Sequence, residues 1–371
     1  MAQEREKRRI VIASILKPVD DTRMLEKIGL SLARKDGFDV SIIGYATTSP
    51  SVNTNIRLIS LGHFPRLSLR RWLSKWVVLR KAWALQPTHF IFTTHELILP
   101  AIILKVAIGT HIIYDVRENF YRNIRNSESL PWLARIPLAM LVRFKEKLLA
   151  PTIDHFFLAE KAYEKEFRFH RGGWTVLENK ALIPAGLTRT KIPGKTRLLF
   201  SGTLCESTGV FRAIQLGKQL HAQDPNVTLT IAGYASIHSV RDRIVFEAAN
   251  SPFIQLVGVN VLVPHEEIVK QIFNADAGII AYSSASHTEN SVPTKLFEYL
   301  TSALPIILEN KWPWIQQYQG IQPFITCDFL NLNPASLLAS LKSNVFYTTP
   351  ATDASWKSEE PKLLTAIKNI V

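Results

Sequence analysis

The stretch that decides the fold runs from Asn274 to Ile307 and reads NADAGIIAYSSASHTENSVPTKLFEYLTSALPII. Its apolar run at 277–281 predicts a buried strand, and the polar run at 282–291 predicts a loop. The periodic run at 293–301 predicts a helix, which leads to a second strand at 305–308. In parallel sheets ligands collect beyond the carboxyl ends of the strands, so we expect the loop at 282–291 to lie at a ligand site.

The same alternation of strand and helix patterns extends over the whole chain. In the first half, short β-branched and aromatic runs occur at 10–14, 40–43, 90–93, 111–115 and 156–158. In the second half, further strand patterns occur at 197–201, 228–232 and 254–257, and helical patterns at 210–220 and 265–273. This order predicts an α/β protein with mostly parallel sheets, folded as two Rossmann-like domains that face each other across a cleft.

The length and composition also favour two domains. The chain has 371 residues, 47% of them hydrophobic, which is more than one core normally supports. A segment with two Pro and two Gly and no sustained period interrupts the pattern and predicts a linker. We therefore expect an N-terminal domain at 1–180, the linker at 181–195, a C-terminal domain at 196–355 and a C-terminal helix at 356–371.

The charge is concentrated in the first half of the chain. Lys and Arg number 44 against 31 Asp and Glu, and residues 51–150 alone carry 15 basic and 5 acidic side chains. This regional excess favours an anionic partner. The two cysteines, Cys205 and Cys327, are too few for a disulfide framework, so we expect a reducing, cytoplasmic location. Neither a signal peptide nor a membrane span is predicted.

The helix pattern at 293–301 carries a candidate anion site. Pro293 suits the first helical turn and Ser291 suits a cap, so the backbone N–H groups would point toward an anion such as a diphosphate. Lys295 adds a positive charge, and Glu298 shares its face, where it could accept hydrogen bonds from ribose hydroxyls. For these two charges alone, an ordinary solvated pair is the alternative.

In this context the stretch resembles the nucleotide-sugar site of glycosyltransferases with the GT-B fold, in particular the large retaining family often numbered four (glycosyl transferases group 1). The shared pattern is Asn-x-x-Pro-x-Lys-x-x-Glu-Tyr followed by a small residue and Pro. Asn290 and Glu298 match the two ends of that family's Glu-x7-Glu motif, with Asn in place of the first Glu. The resemblance implies sugar transfer with retained configuration, and Lys295, Glu298 and Asn290 as catalytic residues.

The resemblance continues through the second domain. The runs 198–204 and 209–214 resemble the family's first strand, glycine turn and helix, and 231–234 resembles the strand end beside the nucleotide. Thr208 precedes Gly209 where the family has Lys, and no Arg closely follows Gly202, so Lys295 would carry the diphosphate alone. The implied donor-binding residues are Gly202, Thr203, Gly233, Tyr234, Tyr282, Pro293, Thr294, Lys295 and Glu298.

In the first domain the run 114–118 resembles the family's Tyr-Asp-x-His-Glu, with Arg117 in place of His. Arginine cannot relay protons near pH 7, but its fixed fork of donors can bind a sugar hydroxyl or a phosphate. Helix capping is the alternative for the acids of this run and of the opening turn. The candidate acceptor-binding residues are Asp21, Arg23, Asp115, Arg117 and Glu118.

Two basic segments of the first domain combine Trp and Leu at helical spacing. One has Leu69, Trp72, Leu73, Trp76 and Trp83 on a single face, flanked by Arg70, Arg71, Lys75 and Lys81. The other, 131–150, mixes apolar residues from Trp132 to Phe144 with Arg and Lys. Basic amphipathic helices with Trp suit an anionic membrane surface. The alternative is that these apolar faces are buried core.

These observations predict a hexosyltransferase-type enzyme. It would transfer a sugar from a nucleoside diphosphate sugar to a lipid-linked or polysaccharide acceptor in polysaccharide biosynthesis, as a peripheral protein at the inner membrane face. We expect no metal and no other cofactor, because no Asp-x-Asp pair or His/Cys cluster stands where an ion could bridge the donor phosphates. A sugar-nucleotide epimerase of the same architecture and a noncatalytic basic binding protein are the alternatives. Nucleic acid is not expected as a partner, because no RNA-binding signature occurs.

Overall fold

The computed structural model describes residues 7–46, 55–62, 64, 68–126, 130–170, 172–184, 186–282 and 292–370. The chain divides into two compact units. The first comprises Met1–Asn179 and Trp356–Val371, and the second comprises Lys180–Ser355. The segment predicted as a linker, 181–195, therefore lies within the second unit, and the C-terminal segment returns to the first.

The first unit is built on a parallel sheet with strand order β3-β2-β1-β4-β5-β6-β7. Its strands are β1 (Arg8–Pro18), β2 (Phe38–Tyr45), β3 (Arg57–Ser60), β4 (His89–Phe92), β5 (His111–Val116), β6 (His155–Leu158) and β7 (Gly173–Val176). A helical segment at Arg23–Gly29 leads into α1 (Leu30–Ala33), and the further helices are α2 (Leu69–Leu85), α3 (Ile98–Ile108), α4 (Phe120–Arg125), α5 (Trp132–Leu149) and α6 (Tyr163–Glu166). The strand order reverses between β1 and β4, which leaves a crevice at their carboxyl ends.

The second unit repeats this plan with strand order β10-β9-β8-β11-β12-β13. Its strands are β8 (Thr196–Thr203), β9 (Val227–Tyr234), β10 (Ile254–Val259), β11 (Ala277–Ile280), β12 (Ile306–Leu308) and β13 (Phe324–Thr326). Its helices are α7 (Val210–Gln223), α8 (His238–Ala249), α9 (His265–Asn274), α10 (Thr294–Thr301) and α11 (Pro334–Ser343). Here the order reverses between β8 and β11.

The last helix, α12 (Glu360–Asn369), belongs to the first unit. It follows Trp356, whose ring is buried and whose Nε1–H donates a hydrogen bond of 2.9 Å to the Ser31 hydroxyl. This contact ties the C-terminal segment to α1.

Side chains of β8 alternate between the two apolar layers that cover its sheet. Leu198 and Phe200 pack in the layer formed with α7 and α11, whereas Leu199 packs in the layer formed with α9 and α10. A strand that is buried on both faces has a continuous apolar sequence, which is why it was predicted. The missed strands β3, β7 and β13 lie at sheet edges, are three or four residues long and are only partly buried, so their apolar signal is weak.

Helices α2 and α5 expose their apolar faces. Helix α2 buries Val78 and Ala82 together with Ser74 and Lys75 but leaves Trp72 55% exposed. Helix α5 buries small apolar residues and Glu146 but leaves Trp132 73% exposed. The alternative that these faces are core is therefore wrong. The spacing suggested that Lys75 flanks this face in solvent. In the structure Lys75 is instead buried against the face. Among the described helices, none is both long enough and apolar enough to cross a bilayer.

Candidate functional site

Close backbone packing shapes the carboxyl edge of β8 and β11. A Cβ atom on Gly233, at the end of β9, would lie 1.8 Å from the carbonyl oxygen of Gly202, which itself has φ of +102°. A Cβ atom on Gly209, at the start of α7, would lie 1.8 Å from the carbonyl oxygen of Ala281. Only glycine permits these approaches. The ends of three strands and the start of α7 are thus brought together.

Lys295 is buried at this edge. Its side chain is 4% exposed, and Nζ lies 3.9 Å from the centroid of the Phe200 ring and 5.4 Å from that of Tyr282. A Cβ atom on Gly202 would lie 3.9 Å from Nζ. Among the described residues Nζ has no hydrogen-bond partner. Burial lowers the pKa of Lys295 to about 7, with the nearby charge of Glu298 acting in the opposite direction.

Helix α10 brings Lys295 to the edge. It begins at Thr294, so Pro293 lies at the preceding cap position (φ −68°, ψ 137°) rather than in the first turn. Within the described residues no side chain caps this helix start. The predicted cap Ser291 and the predicted catalytic Asn290 lie outside the described residues, and their roles remain predictions.

Glu298 lies one turn further along α10 and contacts a residue that the sequence analysis missed. Nε2 of His265, the first residue of α9, lies 3.1 Å from Oε1 of Glu298. Both side chains are partly exposed. The Lys295–Glu298 pair predicted as the alternative is not formed as a direct salt bridge, since Glu298 contacts His265 and Nζ of Lys295 is unpaired. Binding of ribose hydroxyls by Glu298 remains a prediction.

The other predicted donor-binding residues surround the same edge. Thr203 and Tyr234 end the paired strands β8 and β9, with Tyr234 half-buried. Tyr282 follows β11, and its ring meets that of Trp312 edge-on at 6.5 Å. Burial raises the pKa of Tyr282, so its hydroxyl stays protonated at neutral pH.

In the turn between β8 and α7, Thr208 and Gly209 stand where the resembled family has Lys-Gly. The Thr208 hydroxyl accepts a hydrogen bond from the Cys205 N–H at 3.2 Å and donates one to the Thr203 carbonyl at 2.8 Å. Thr208 therefore closes the turn and supplies no charge. A cation does occur on α7: Arg212 donates to the Tyr282 carbonyl at 3.0 Å and forms an ion pair with Glu309. Its location within a helix, away from the glycine turn, is why sequence analysis missed it.

In the first unit the five predicted acceptor residues are brought together, mostly as partners of one another. Arg23 and Asp115 form a wholly buried ion pair with a closest N–O distance of 2.7 Å. Asp21 binds Arg117 through two hydrogen bonds, of 2.7 and 3.1 Å, and Glu118 lies 3.1 Å from Lys17. Arg23 and Asp115 have no exposed surface and support this edge, whereas Asp21, Arg117 and Glu118 are partly exposed.

Not all of the residues that cap helices in this region are those that the sequence predicts. Asp21 accepts hydrogen bonds from the N–H groups of Arg23 and Met24, as expected for a cap. Burial opposes its ionisation, but the Arg117 charge and hydrogen bonds hold the pKa of Asp21 below its usual value. Helix α4 is capped by Asn119, which accepts from the Arg122 N–H at 3.2 Å. Asp115 and Glu118 do not cap it, because the former lies within β5 and the latter precedes the cap.

A polar cluster after β4 was also missed. Glu96 pairs with Arg71 of α2, and Lys145 of α5 donates a hydrogen bond of 2.7 Å to the His95 carbonyl. Burial lowers the pKa of His95 to about 4, so its ring is neutral near pH 7. The signal that could have found this cluster is the polar sequence Thr-Thr-His-Glu directly after a buried strand.

Comparison with known proteins identifies the fold. No family model matches the chain, and no curated protein matches it by sequence. Among solved structures, sucrose-phosphate synthase from Thermosynechococcus elongatus is 12% identical, with 98% of each chain covered and a TM-score of 0.69. A UDP-forming α,α-trehalose-phosphate synthase from Burkholderia xenovorans in complex with glucose-6-phosphate is 10% identical, with 98% of this chain and 100% of that chain covered and a TM-score of 0.66.

A third similar structure is that of an Anabaena protein in complex with UDP and glucose. It is 10% identical, with 97% of this chain and 99% of that chain covered and a TM-score of 0.66. At these identities the likeness concerns the fold. It confirms the α/β class and the GT-B fold implied by the sequence resemblance.

The buried ammonium predicts a pH-dependent anion site. A bound diphosphate favours the charged form of Lys295, whose pKa is about 7 in the free protein. Affinity for UDP should therefore fall as the pH rises above 7, by up to about tenfold per pH unit, while affinity for uridine should not follow this slope. Lys295→Met should weaken UDP binding about tenfold or more and abolish the slope. Isothermal titration calorimetry measures both.

A matched control is Lys270→Met, which removes an exposed lysine of α9. It should leave UDP binding and its pH slope unchanged. Equal losses for UDP and uridine in Lys295→Met would contradict the assignment of Lys295 to the diphosphate.

The Arg23–Asp115 pair predicts a large stability difference. Asp115→Asn leaves the Arg23 charge buried without a counter-charge, so the free energy of unfolding should fall by about 3–5 kcal/mol. The double variant Arg23→Met with Asp115→Leu should recover most of this loss, because neither charge remains. Glu118→Gln, in the exposed pair with Lys17, should cost at most about 1 kcal/mol. Urea unfolding with hydrogen exchange of the β1 and β5 amides measures the effect; parent-like stability of Asp115→Asn would refute it.

Proposed function

We propose that the protein is a glycosyltransferase that transfers a sugar from a nucleoside diphosphate sugar to a lipid-linked or polysaccharide acceptor at the inner face of a membrane. The observation that carries the proposal is the buried, unpartnered ammonium of Lys295 beside Gly202. The fold shared with sugar-phosphate synthases supports the same class.

The chemistry of the edge supports a diphosphate ligand. Taking an ammonium out of water is unfavourable unless an opposite charge or hydrogen-bond acceptors replace the water. Nζ of Lys295 has no hydrogen-bond partner among the described residues, and no described side chain caps the backbone N–H groups at the start of α10. A bound diphosphate would give the Lys295 ammonium an opposite charge and would give the N–H groups hydrogen-bond acceptors. The glycine turn at Gly202 has no side chain to keep a phosphate away from the backbone.

In the proposed reaction, the positive charge of Lys295 lies beside the group on which negative charge develops. As the bond between the donor sugar and the β-phosphate oxygen breaks, the electron pair and its negative charge stay on the diphosphate. Lys295 and the α10 N-terminus would stabilise that charge. We propose that no divalent ion is required, because these groups supply the positive charge. Glu298 would hold the ribose, and Thr203, Gly233, Tyr234, Tyr282 and Thr294 would line the donor site. Retained configuration is implied by the resemblance.

The first unit would bind the acceptor. Asp21, Arg117 and Glu118 are partly exposed at the carboxyl ends of β1 and β5, the edge at which α/β sheets bind ligands. Their donors and acceptors suit sugar hydroxyls or a phosphate. Arg23 and Asp115, which are wholly buried, would hold the backbone of this edge in position.

The exposed apolar faces of α2 and α5 support a membrane surface as partner. Large apolar patches on a soluble surface mark sites of interaction with proteins or membranes. Here Arg70 and Arg80 accompany the Trp face of α2, and Lys147 accompanies Phe144 on α5. This combination of exposed Trp with cations matches an interfacial helix on anionic lipid.

The transfer hypothesis is tested with UDP-glucose, the sugar nucleotide suggested by the Anabaena complex. With a membrane extract as acceptor, we expect UDP release and sugar incorporation into the lipid fraction, both undiminished by a chelator. Lys295→Met should lose this activity and Lys270→Met should keep it. Release of an epimerised sugar nucleotide without acceptor would identify the epimerase alternative. Activity that a chelator abolishes and magnesium restores would contradict metal independence.

Membrane binding is tested by vesicle sedimentation. The parent protein should bind vesicles with anionic lipid, bind neutral vesicles poorly and be released by high salt. Reversing the exposed charges in Arg70→Glu, Arg80→Glu and Lys147→Glu together should abolish most of this binding, at about 1 kcal/mol per charge. The matched control reverses three exposed lysines of the second unit, Lys191, Lys195 and Lys270, and should retain binding. Equal binding by both triple variants would refute the membrane surface.

A further inference from the structure

A layer of positive charge lies beneath the apolar faces of α2 and α5. Arg71 and Lys75 are four residues apart and therefore share one face of α2. Arg71 pairs with Glu96, directly after His95. Lys145 of α5 contacts the same His95, with its Nζ 2.7 Å from both the carbonyl oxygen and Nδ1. The two helices thus meet the carboxyl end of β4 from two sides.

The positive charges in this layer exceed the negative ones. The charge of Arg71 is compensated by Glu96. On α5, Arg143 lies 3.5 Å from Glu146, which also accepts a hydrogen bond from Tyr114. Lys75 and Lys145 remain, and no carboxylate among the described residues forms a salt bridge with either. Lys75 is only 8% exposed, and its Nζ lies 3.7 Å from the centroid of the Trp72 ring. Burial lowers the pKa of Lys145, and the charges of Glu96 and Glu146 act in the opposite direction, but each of these carboxylates already pairs with an arginine. One ammonium on each helix without a salt bridge favours an added anion in this layer.

Two hydroxyl groups at the same strand end also lack partners. Thr93 and Thr94 directly precede His95, and both side chains are at most 3% exposed. Neither Oγ1 has a hydrogen-bond partner within the described part of the chain. Buried hydroxyls are normally satisfied, so these two need a water molecule or another polar group as partner. Each hydroxyl can donate one hydrogen bond, and an anionic oxygen would accept it.

We infer that this layer binds a phosphate or diphosphate group carried by a lipid, with Lys75 and Lys145 as its cations. The inference rests on the proposed membrane surface and names the ligand that this surface takes. Trp72 and Trp76 lie beside Lys75 on α2, and Leu141 and Phe144 lie beside Lys145 on α5, all of them exposed. A phosphate on the two lysines would therefore place its hydrocarbon chain against apolar side chains. A free phosphate would leave that surface uncovered.

The test compares two anionic lipids at matched surface charge. Phosphatidylcholine vesicles containing phosphatidic acid present a terminal phosphate, whereas those containing phosphatidylglycerol present a shielded one. The parent should bind the former more tightly. Lys75→Met and Lys145→Met, which keep side-chain length, should each lose about tenfold of that preference, since each removes a charge-assisted hydrogen bond to the phosphate. Lys147→Met, at an exposed position of α5, should weaken binding to both vesicles equally.

Two further experiments distinguish a lipid phosphate from a free phosphate, and loss of a ligand contact from a folding defect. Soluble dihexanoyl phosphatidic acid should protect the α2 and α5 amides from hydrogen exchange, and inorganic phosphate and pyrophosphate should not. Lys75→Arg and Lys145→Arg keep the charge and should keep the preference. Should vesicles fail to bind while the soluble lipid still protects through both lysines, the membrane proposal falls and this site stands. Equal binding of both vesicle types, or protection by pyrophosphate as strong as by the lipid, overturns the inference.

Discussion

The burial of the Lys295 ammonium without a counter-charge is the constraint on which the second unit's functional edge depends. An ammonium is held there by ring faces and by tightly packed glycine backbone, and these compensate only part of the lost hydration. Glu298 is close enough to affect the pKa of Lys295, yet it contacts His265 instead of neutralising the lysine. An edge that keeps a desolvated cation in this way is pre-organised for an anion, because little reorganisation is needed when the anion binds.

In the first unit, by contrast, buried charges at one sheet edge are neutralised by partners of opposite charge. At the ends of β1 and β5, Arg23 is matched by Asp115, and Asp21 by Arg117. Paired charges of this kind contribute less to affinity for a ligand than to the geometry of the backbone that carries them. Elsewhere in this unit, Lys75 and Lys145 form no salt bridge with a carboxylate of the described residues. The first unit therefore has a region of paired charges and a second region where we propose that an anion binds.

The exposed Trp and Leu side chains of α2 and α5 are the second unusual feature of the first unit. Each buried Å² of apolar surface contributes about 25 cal/mol, so a helix normally places these residues in the core. Here the core side of α2 carries Val78 and Ala82 beside Ser74 and Lys75, and that of α5 carries Ala139 and Val142 beside Glu146. The larger Trp and Leu side chains lie outside, which is unfavourable in water unless a partner covers them. A membrane surface would cover them.

Local features could be predicted from the sequence: the strands buried on both faces, the intervening helices and the Lys295–Glu298 spacing follow from periodicity and residue type. It also indicated which residues gather at the strand ends. Tertiary structure alone decided their partners, because Arg23 and Asp115 are 92 residues apart and His265 and Glu298 are 33 apart. It also decided that the Trp face of α2 points outward, since periodicity defines a face of a helix but not what that face packs against.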